Sequence, residues 1–256
     1  MEIREWAIRI LSADSLDEKL LDPQTLTDEN PGPPIFWQEP VRPSHMRFHK
    51  HTRKSKLPPL HEHHHPDKRA ICLHRFAGHE LLAVEIMAYA LLAFPEAPRS
   101  FRRGVANTLK EEQGHVRLYM KRMAEMGLLF GDLPLFRHFW SYVPSLTSPL
   151  RYISLMSLTF EMANLDFAPL YGASFAKHGD TASADLMKTI LQDEIAHVSF
   201  GYRWLKKWNE NSEWQTWLSS LPPRATPLRA KGPQFFEEPR HLAGLSPEWI
   251  HQLRSF

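Results

Sequence analysis

Two short stretches of the chain repeat one arrangement of acids and histidine: EEQGH at 111–115 and DEIAH at 193–197. In each stretch a glutamate lies three residues before the histidine, and another acid comes directly before that glutamate. Positions i and i+3 of an α-helix lie about 60° apart on one face, so a helical Glu-x-x-His pair projects in one direction. The repetition therefore suggests a metal site, provided that the surrounding sequence is helical.

The middle of the chain is periodic and poor in turn residues. Pro95 and Pro98 stop the first periodic segment and Gly127 stops the second, because proline lacks the amide donor that a helix interior needs. The segments are too long for strands, which predicts an all-α fold. Four helices are predicted, at about 69–93, 99–126, 149–176 and 180–208.

The connections between these segments indicate a topology. The links within the first pair and within the second pair are about five residues each, so each pair is expected to form an antiparallel hairpin. The link at 127–149 is long and contains glycine and proline. Two hairpins joined by one long crossover predict a ferritin-like four-helix bundle.

Extensions flank the predicted bundle. Residues 1–68 are expected to hold a short helix and an arm rich in proline, histidine and basic residues. The bundle is assigned to residues 69–208, and residues 209–256 form a C-terminal extension rich in proline at its start.

A bundle of this topology can hold two metal ions with one Glu-x-x-His pair from each of two helices and a single glutamate from each of the others. The two pairs are Glu112 with His115 and Glu194 with His197. The third segment offers Glu161 in the apolar run LMSLTFEMANL, where an unpaired charge facing the core would cost several kcal/mol.

Spacing selects the acid of the first segment. Glu80 lies 32 residues before Glu112, close to the 33 residues between Glu161 and Glu194, whereas Glu85 lies only 27 residues before Glu112. Glu80 is therefore the predicted ligand. Positions five apart on a helix diverge by about 140°, so Glu85 and its counterpart in the third segment, Asp166, are expected to point elsewhere.

The two halves of the predicted bundle look like a duplicated hairpin with a complete set of metal ligands. Four carboxylates would repel one another in a core, but two divalent cations neutralise them. Carboxylates with imidazoles suit iron or an iron/manganese pair, and zinc fits the same ligand types. The acids before each pair are expected to orient the histidines, Glu111 holding His197 and Asp193 holding His115. The predicted metal ligands are Glu80, Glu112, His115, Glu161, Glu194 and His197.

Several motifs in this order resemble a ferritin-like bacterial family known as domain of unknown function 455. They are PGPPIFWQEPVRP (31–43), HELLAVE (79–85), EEQGHVRLYMKRM (111–123), FGDLP (130–134), LTFEMANLDFAP (158–169) and DEIAHVSFGYRWL (193–205). The resemblance implies a di-iron type of four-helix bundle and brings no reaction with it. More distantly, FAGHELLAVEIMAY (76–89) is similar to the first metal helix of rubrerythrins and of ubiquinone-pathway hydroxylases, which implies that Glu80 is a ligand.

The composition limits the classes of protein to which this chain can belong. The chain has 256 residues, of which 43% are hydrophobic, and a net charge of +2, so charge makes no general case for a nucleic-acid or membrane partner. The apolar run at 81–94 is too short to span a bilayer, and a single cysteine, Cys72, allows no internal disulfide. These features predict a soluble cytoplasmic protein.

The sequence leaves the roles of two local patterns open. The stretch HEHHHPDK (61–68) could bind a transition metal, or it could be a loop with adventitious affinity. The basic arm, residues 42–56, could meet a nucleic acid or another anion, or it could lie over an acidic part of the bundle. Its basic residues are Arg42, Arg47, Lys50, Arg53, Lys54 and Lys56.

The leading functional expectation is a di-iron oxidoreductase that uses dioxygen or peroxide to oxidise a small organic substrate. A ferritin-type iron oxidation and storage protein uses the same ligands but needs a cage-forming assembly. A third reading is a binding module in which the metal ions only stabilise the bundle. The sequence leaves the oligomeric state open, and a dimer is compatible with it.

Overall fold

The computed structural model describes residues 1–49, 56–209 and 212–256. Over these residues the regular structure is helical, and β pairing is limited to two isolated bridges, Glu2 with Thr27 and Phe48 with Leu135. The all-α prediction is therefore confirmed. The chain forms two compact units, Met1–Val143 and Pro144–Phe256.

The first unit is built around a helical hairpin. Its third and fourth helices pack along each other and are joined by residues 94–98. The third begins with a proline in its first turn, where no amide donor is needed, and ends before Pro95. Both helices match the predicted segments to within three residues. The helices of this unit are α1 (Ile3–Ser12), α2 (Leu16–Lys19), α3 (Pro66–Ala93) and α4 (Arg99–Ala124).

The second unit contains another hairpin, formed by a long composite helix and the long helix that follows it. The composite helix runs without a break from Pro149 to Lys177 and agrees with the predicted third segment, although its middle turn is π-helical. Its parts are α5 (Pro149–Leu155), the π segment (Met156–Glu161) and α6 (Met162–Lys177). The other helices are α7 (Thr181–Trp208), α8 (Glu213–Ser220), α9 (Glu238–Leu242) and α10 (Pro247–Ser255).

One helix among the described residues, α3, is long and apolar enough to cross a membrane by length and composition. Within its most apolar 18-residue window, however, 89% is buried inside the protein. Aromatic and aliphatic side chains of α1, such as Trp6 and Ile10, are fully buried where α1 packs on α3. The burial of α3 is that of a core helix and is consistent with a soluble protein.

The π segment packs closely against α7 at a glycine. A Cβ atom added at Gly201 would lie 2.3 Å from the Ser157 Cβ, so a larger side chain does not fit there. Segments of π-helix are rare and are often found at functional sites. This one ends at Glu161, one of the predicted ligands.

Replacing Gly201 with alanine is therefore expected to lower the thermal unfolding midpoint, because the overlap costs about 1–3 kcal/mol and outweighs the better helix propensity of alanine. Gly114 on α4 is the matched control, because a Cβ there would meet nothing within 4 Å. Gly114→Ala should leave the midpoint unchanged or raise it. Circular dichroism melts of the two variants test this, and equal shifts would contradict the tight packing at Gly201.

Candidate metal centre

The hairpin of the first unit brings its three predicted ligands together. Glu80 on α3 and Glu112 and His115 on α4 are all buried, with at most 5% of any one residue exposed. Ligand atoms of Glu80 and His115 lie within 4.8 Å of each other. The Glu112 Oε2 lies 3.2 Å from the His115 Nδ1. His115 therefore lies close to both buried carboxylates.

The hairpin of the second unit repeats this arrangement. Glu161 at the end of the π segment and Glu194 and His197 on α7 are at most 3% exposed. Ligand atoms of Glu161 and His197 lie within 4.8 Å, and the Glu194 Oε2 lies 3.6 Å from the His197 Nδ1. Each unit thus carries a half-site of two glutamates and one histidine.

These half-sites have the chemistry of a metal site. Oxygen and nitrogen ligands bind first-row divalent ions at about 2.0–2.2 Å, so two ligands of one ion lie up to about 4.4 Å apart. The glutamate to histidine separations are within this range or need only a shift of a few tenths of an ångström. A bound cation would also offset the desolvation cost of the buried carboxylates.

Glu85, the alternative to Glu80, is committed to other partners. Its fully buried carboxylate accepts two hydrogen bonds from Arg42, Nε to Oε1 at 3.0 Å and Nη2 to Oε2 at 2.5 Å. The Lys19 Nζ lies 3.0 Å from the Glu85 Oε1, and burial lowers the pKa of Lys19 while the charge of Glu85 opposes this shift. Glu85 therefore points away from Glu80, as its five-residue offset predicts.

Asp166 holds the equivalent place in the second unit. It accepts hydrogen bonds from both terminal nitrogens of Arg240, at 2.6 and 2.9 Å, and from the backbone amides of Gly232 and Phe236, both at 2.8 Å. A Cβ at Gly232 would lie 2.9 Å from the Asp166 Cβ, so this close approach needs glycine. Asp166 is thus held by the C-terminal extension.

Arg42 and Arg240 play equivalent parts in the two units, and each is called a clamp because it holds a buried acid of a long helix. Arg42 comes from the N-terminal arm and Arg240 from the C-terminal extension, and both are buried. Each guanidinium also stacks on a phenylalanine ring, Arg42 on Phe48 at 4.1 Å and Arg240 on Phe235 at 4.0 Å. Each of these two arginines binds an acid that lies five residues after a predicted ligand on the same helix.

The basic arm is thereby partly explained. Arg42 lies over an acidic residue of α3, whereas Arg47 and Lys56 are exposed. Lys50, Arg53 and Lys54 lie outside the described residues. Arg42 therefore has a structural partner within the chain, and the possibility of nucleic-acid binding by the rest of the arm stays a prediction.

The histidine-rich stretch is partly integrated into the fold. His63 is buried, and its Nε2 lies 3.5 Å from the Sγ of Cys72, whose pKa burial raises to about 12. The rings of His64 and His65 pack at 3.8 Å. Among the described residues, no three potential ligand atoms come within 4.8 Å of one another at this stretch. Adventitious metal affinity remains the simpler interpretation.

The supporting acids differ in burial. Glu111 is exposed and Asp193 is half-buried, and their assignments to His197 and His115 stay predictions. One supporting residue escaped the sequence reasoning: Asn164 on α6 donates through Nδ2 to the Glu194 Oε1 at 2.7 Å. Asn164 lies three residues after Glu161, so the same-face rule that links each glutamate to its histidine could have found it.

Removing either clamp should destabilise the protein strongly, because a buried carboxylate then loses its main cationic partner. Arg42→Met and Arg240→Met are each expected to lower the free energy of unfolding by about 3–5 kcal/mol. The control is Arg254→Met, which breaks an exposed pair with Glu237 and should cost less than about 1 kcal/mol. Urea denaturation measures all three, and a loss in the control as large as in the clamps would contradict this view.

The comparisons with known proteins agree with the motifs. A family model described as "Protein of unknown function (DUF455)" matches residues 6–251. An uncharacterized protein of Haemophilus influenzae is 25% identical over 143 residues, which are 53% of this chain and 50% of that relative, so the chain spans about half the length of the curated relative it matches. No solved structure gives a significant match. Because the family model covers nearly the whole chain, this protein belongs to the DUF455 family of unknown function.

Proposed function

We propose that this chain is a two-metal carboxylate protein with a ferritin-like four-helix bundle. One observation carries the proposal: two helical hairpins each bury a glutamate from one helix and a Glu-x-x-His pair from the other. The spacing between the single glutamate and the pair is nearly the same in both hairpins. A single buried trio could be a chance feature of packing, but its repetition favours two equivalent metal ligand sets.

In the proposed centre the six predicted ligands would hold a pair of ions. Glu80 with His115 would bind one ion and Glu161 with His197 the other. Glu112 and Glu194 would complete the ligand set, so that four carboxylates balance two divalent cations. Iron or an iron/manganese pair fits these oxygen and nitrogen donors best, and zinc is a possible substitute.

The proposed activity is oxidation of a small organic substrate in the cytoplasm. The bound ions would supply the redox chemistry with dioxygen or peroxide. The protein would fix the ions through six buried side chains and keep bulk water away from them. The similarity of residues 76–89 to the first metal helix of rubrerythrins supports this class, although the relatives found by comparison name no reaction.

Anaerobic titration with ferrous ions tests the proposal. The intact chain should bind two ions, and Glu80→Gln or Glu161→Gln should weaken binding of at least one, whereas Asp185→Asn, an exposed acid on α7, should change nothing. All titrations are run in a background with His61, His64 and His65 replaced by alanine, which removes adventitious sites. Binding that is lost in this background while the six ligands are intact would contradict the proposal.

Oxygen exposure of the loaded protein separates the candidate functions. A coupled diferric centre should give a near-ultraviolet absorption band, and its absence at full occupancy would contradict oxidative function. Consumption of oxygen in the presence of a reductant distinguishes an enzyme from a metal-stabilised binding module. A native particle of cage size would instead favour iron storage.

The asymmetry between the half-sites predicts unequal affinities. Asn164 orients Glu194, whereas the equivalent position of the first hairpin is Ala83. Replacing a residue that orients a ligand weakens metal affinity by about 10–100-fold, so Asn164→Ala should weaken one of two binding steps by about tenfold. Asn107→Ala, on the exposed face of α4, is the control. An unchanged titration for Asn164→Ala would contradict the orienting role.

A further inference from the structure

Four aromatic side chains of the second unit form a continuous cluster that the proposed metal centre does not use. Tyr202 lies on α7, Trp214 and Trp217 lie on α8, and Trp249 lies on α10. The ring centroid of Trp249 is 5.5 Å from that of Tyr202. It is also 5.6 Å from that of Trp214 and 5.1 Å from that of Trp217. These are the separations of rings in contact, and tyrosine and tryptophan are the aromatic residues that lose one electron most readily.

The hydrogen bonds of Tyr202 determine where its phenolic proton points. The Tyr202 hydroxyl donates to the Glu213 Oε2 and accepts from the backbone amide of Ser246 at 3.2 Å. A backbone amide can only donate and an ionised carboxylate can only accept, so the phenolic proton lies on the side of Glu213. Glu213 is therefore placed to act as a proton acceptor for Tyr202.

The charges around Tyr202 favour loss of this proton together with an electron. The Lys206 Nζ lies over the Tyr202 ring, 5.1 Å from its centroid. This positive charge opposes a second positive charge on the ring, so an oxidised Tyr202 that kept its proton would be unstable. Burial raises the pKa of the Tyr202 phenol, and the hydrogen bond to Glu213 also raises it, so the phenol keeps its proton until it is oxidised.

Trp249 differs from Tyr202 in the surroundings of its proton. The Trp249 Nε1 is buried and has no hydrogen-bond acceptor within the described parts of the chain. An indole that loses an electron there keeps its N–H proton and its positive charge, so it readily takes an electron from a neighbour. Because Tyr202 has a proton acceptor, an electron vacancy in the cluster comes to rest on Tyr202.

The cluster extends from the helix of a predicted ligand to a partly accessible ring. Tyr202 follows His197 by five residues on α7, which places it about 7.5 Å farther along the helix axis and about 140° around it. Trp214 is the most exposed of the four rings, at 9%, and the others are at most 2% exposed. Trp214 is therefore the point at which an external electron donor or acceptor meets the cluster.

We propose that Tyr202 is a redox-active tyrosine, with Glu213 as its proton acceptor and the three tryptophans as its electron path. Tyr202 gives one electron to a one-electron oxidant and its phenolic proton to Glu213. The phenolic O–H bond breaks, an O–H bond forms on Glu213, the oxidant is reduced by one electron, and a neutral tyrosyl radical remains. One electron from a surface reductant, passed through Trp214 and Trp249, and the proton returned by Glu213 restore the phenol. For its oxidant in the cell, the oxidised metal ions, this role rests on the proposed function.

Flash oxidation of the full chain without added metal tests the proposal. Photoexcited ruthenium tris(bipyridine), quenched by a cobalt(III) ammine, supplies the oxidant, and electron paramagnetic resonance after rapid freezing identifies the radical. We expect a neutral tyrosyl signal, and Tyr202→Phe should remove most of it. Tyr152→Phe, which alters another buried tyrosine of the second unit, is the control. A signal unchanged in Tyr202→Phe, or lost equally in the control, would overturn the proposal.

The proton acceptor has a separate test. Glu213→Gln keeps an oxygen that accepts the hydrogen bond from Tyr202, but an amide does not take up the proton. A positioned proton acceptor is worth about 10²–10⁴-fold in rate, so this change should slow the appearance of tyrosyl absorption after the flash by at least about tenfold. Glu248→Gln, at an exposed acid of α10, should leave the rate unchanged. An unchanged rate in Glu213→Gln would reduce the hydrogen bond to a packing contact and contradict the proposal.

The electron path is tested by Trp249→Phe, which keeps an aromatic ring but one that is much harder to oxidise. The yield of the tyrosyl radical should fall several-fold, whereas Trp140→Phe, at a buried tryptophan of the first unit, should preserve it. Equal yields in both variants would contradict the path through Trp249. Glu80→Gln should keep the radical signal, so a failure of the metal centre and a failure of the redox-active tyrosine are distinguishable.

Discussion

The burial of carboxylates inside helical hairpins is the constraint on which the rest of this structure depends. A buried carboxylate is costly unless a cation or a set of hydrogen-bond donors balances it. The protein meets this cost in two ways. Glu85 and Asp166 are matched by buried arginines, each from a terminal extension. The four glutamates of the half-sites lie beside histidines instead, and metal ions are the proposed source of the balancing charge.

The arginines that pair with Glu85 and Asp166 come from the terminal extensions. The extensions therefore stabilise the helices that carry the proposed ligands, although they contribute no ligand themselves. Each clamp fixes its helix one and a half turns after a predicted ligand, and the stacked phenylalanine shields the ion pair from water. Metal ligands must be held within a few tenths of an ångström to bind well, so rigid helices are an advantage. A buried arginine–carboxylate pair occurs at the equivalent place in both hairpins, which also agrees with an origin by duplication. The halves have nevertheless diverged, since Asn164 supports Glu194 and Ala83 stands at the equivalent position.

The sequence predicts the local features well because they have local causes. Helical periodicity, stopped by prolines and glycines, places the four long helices close to their observed limits. The i, i+3 rule and the nearly equal spacings of 32 and 33 residues identify six residues that all prove to be buried. The clamps could not be predicted in this way, because Arg42 lies 43 residues from Glu85 and Arg240 lies 74 residues from Asp166. The π segment also depends on tertiary packing, which no single stretch of sequence encodes.

The proposal of a two-ion centre is tested most directly by crystallography of the iron-loaded protein with data collected at the iron absorption edge. We expect two anomalous peaks, one within bonding distance of Glu80 and His115 and the other within bonding distance of Glu161 and His197. A fully loaded crystal with no peak at either trio, or with peaks only at the histidine-rich stretch 61–65, would contradict it.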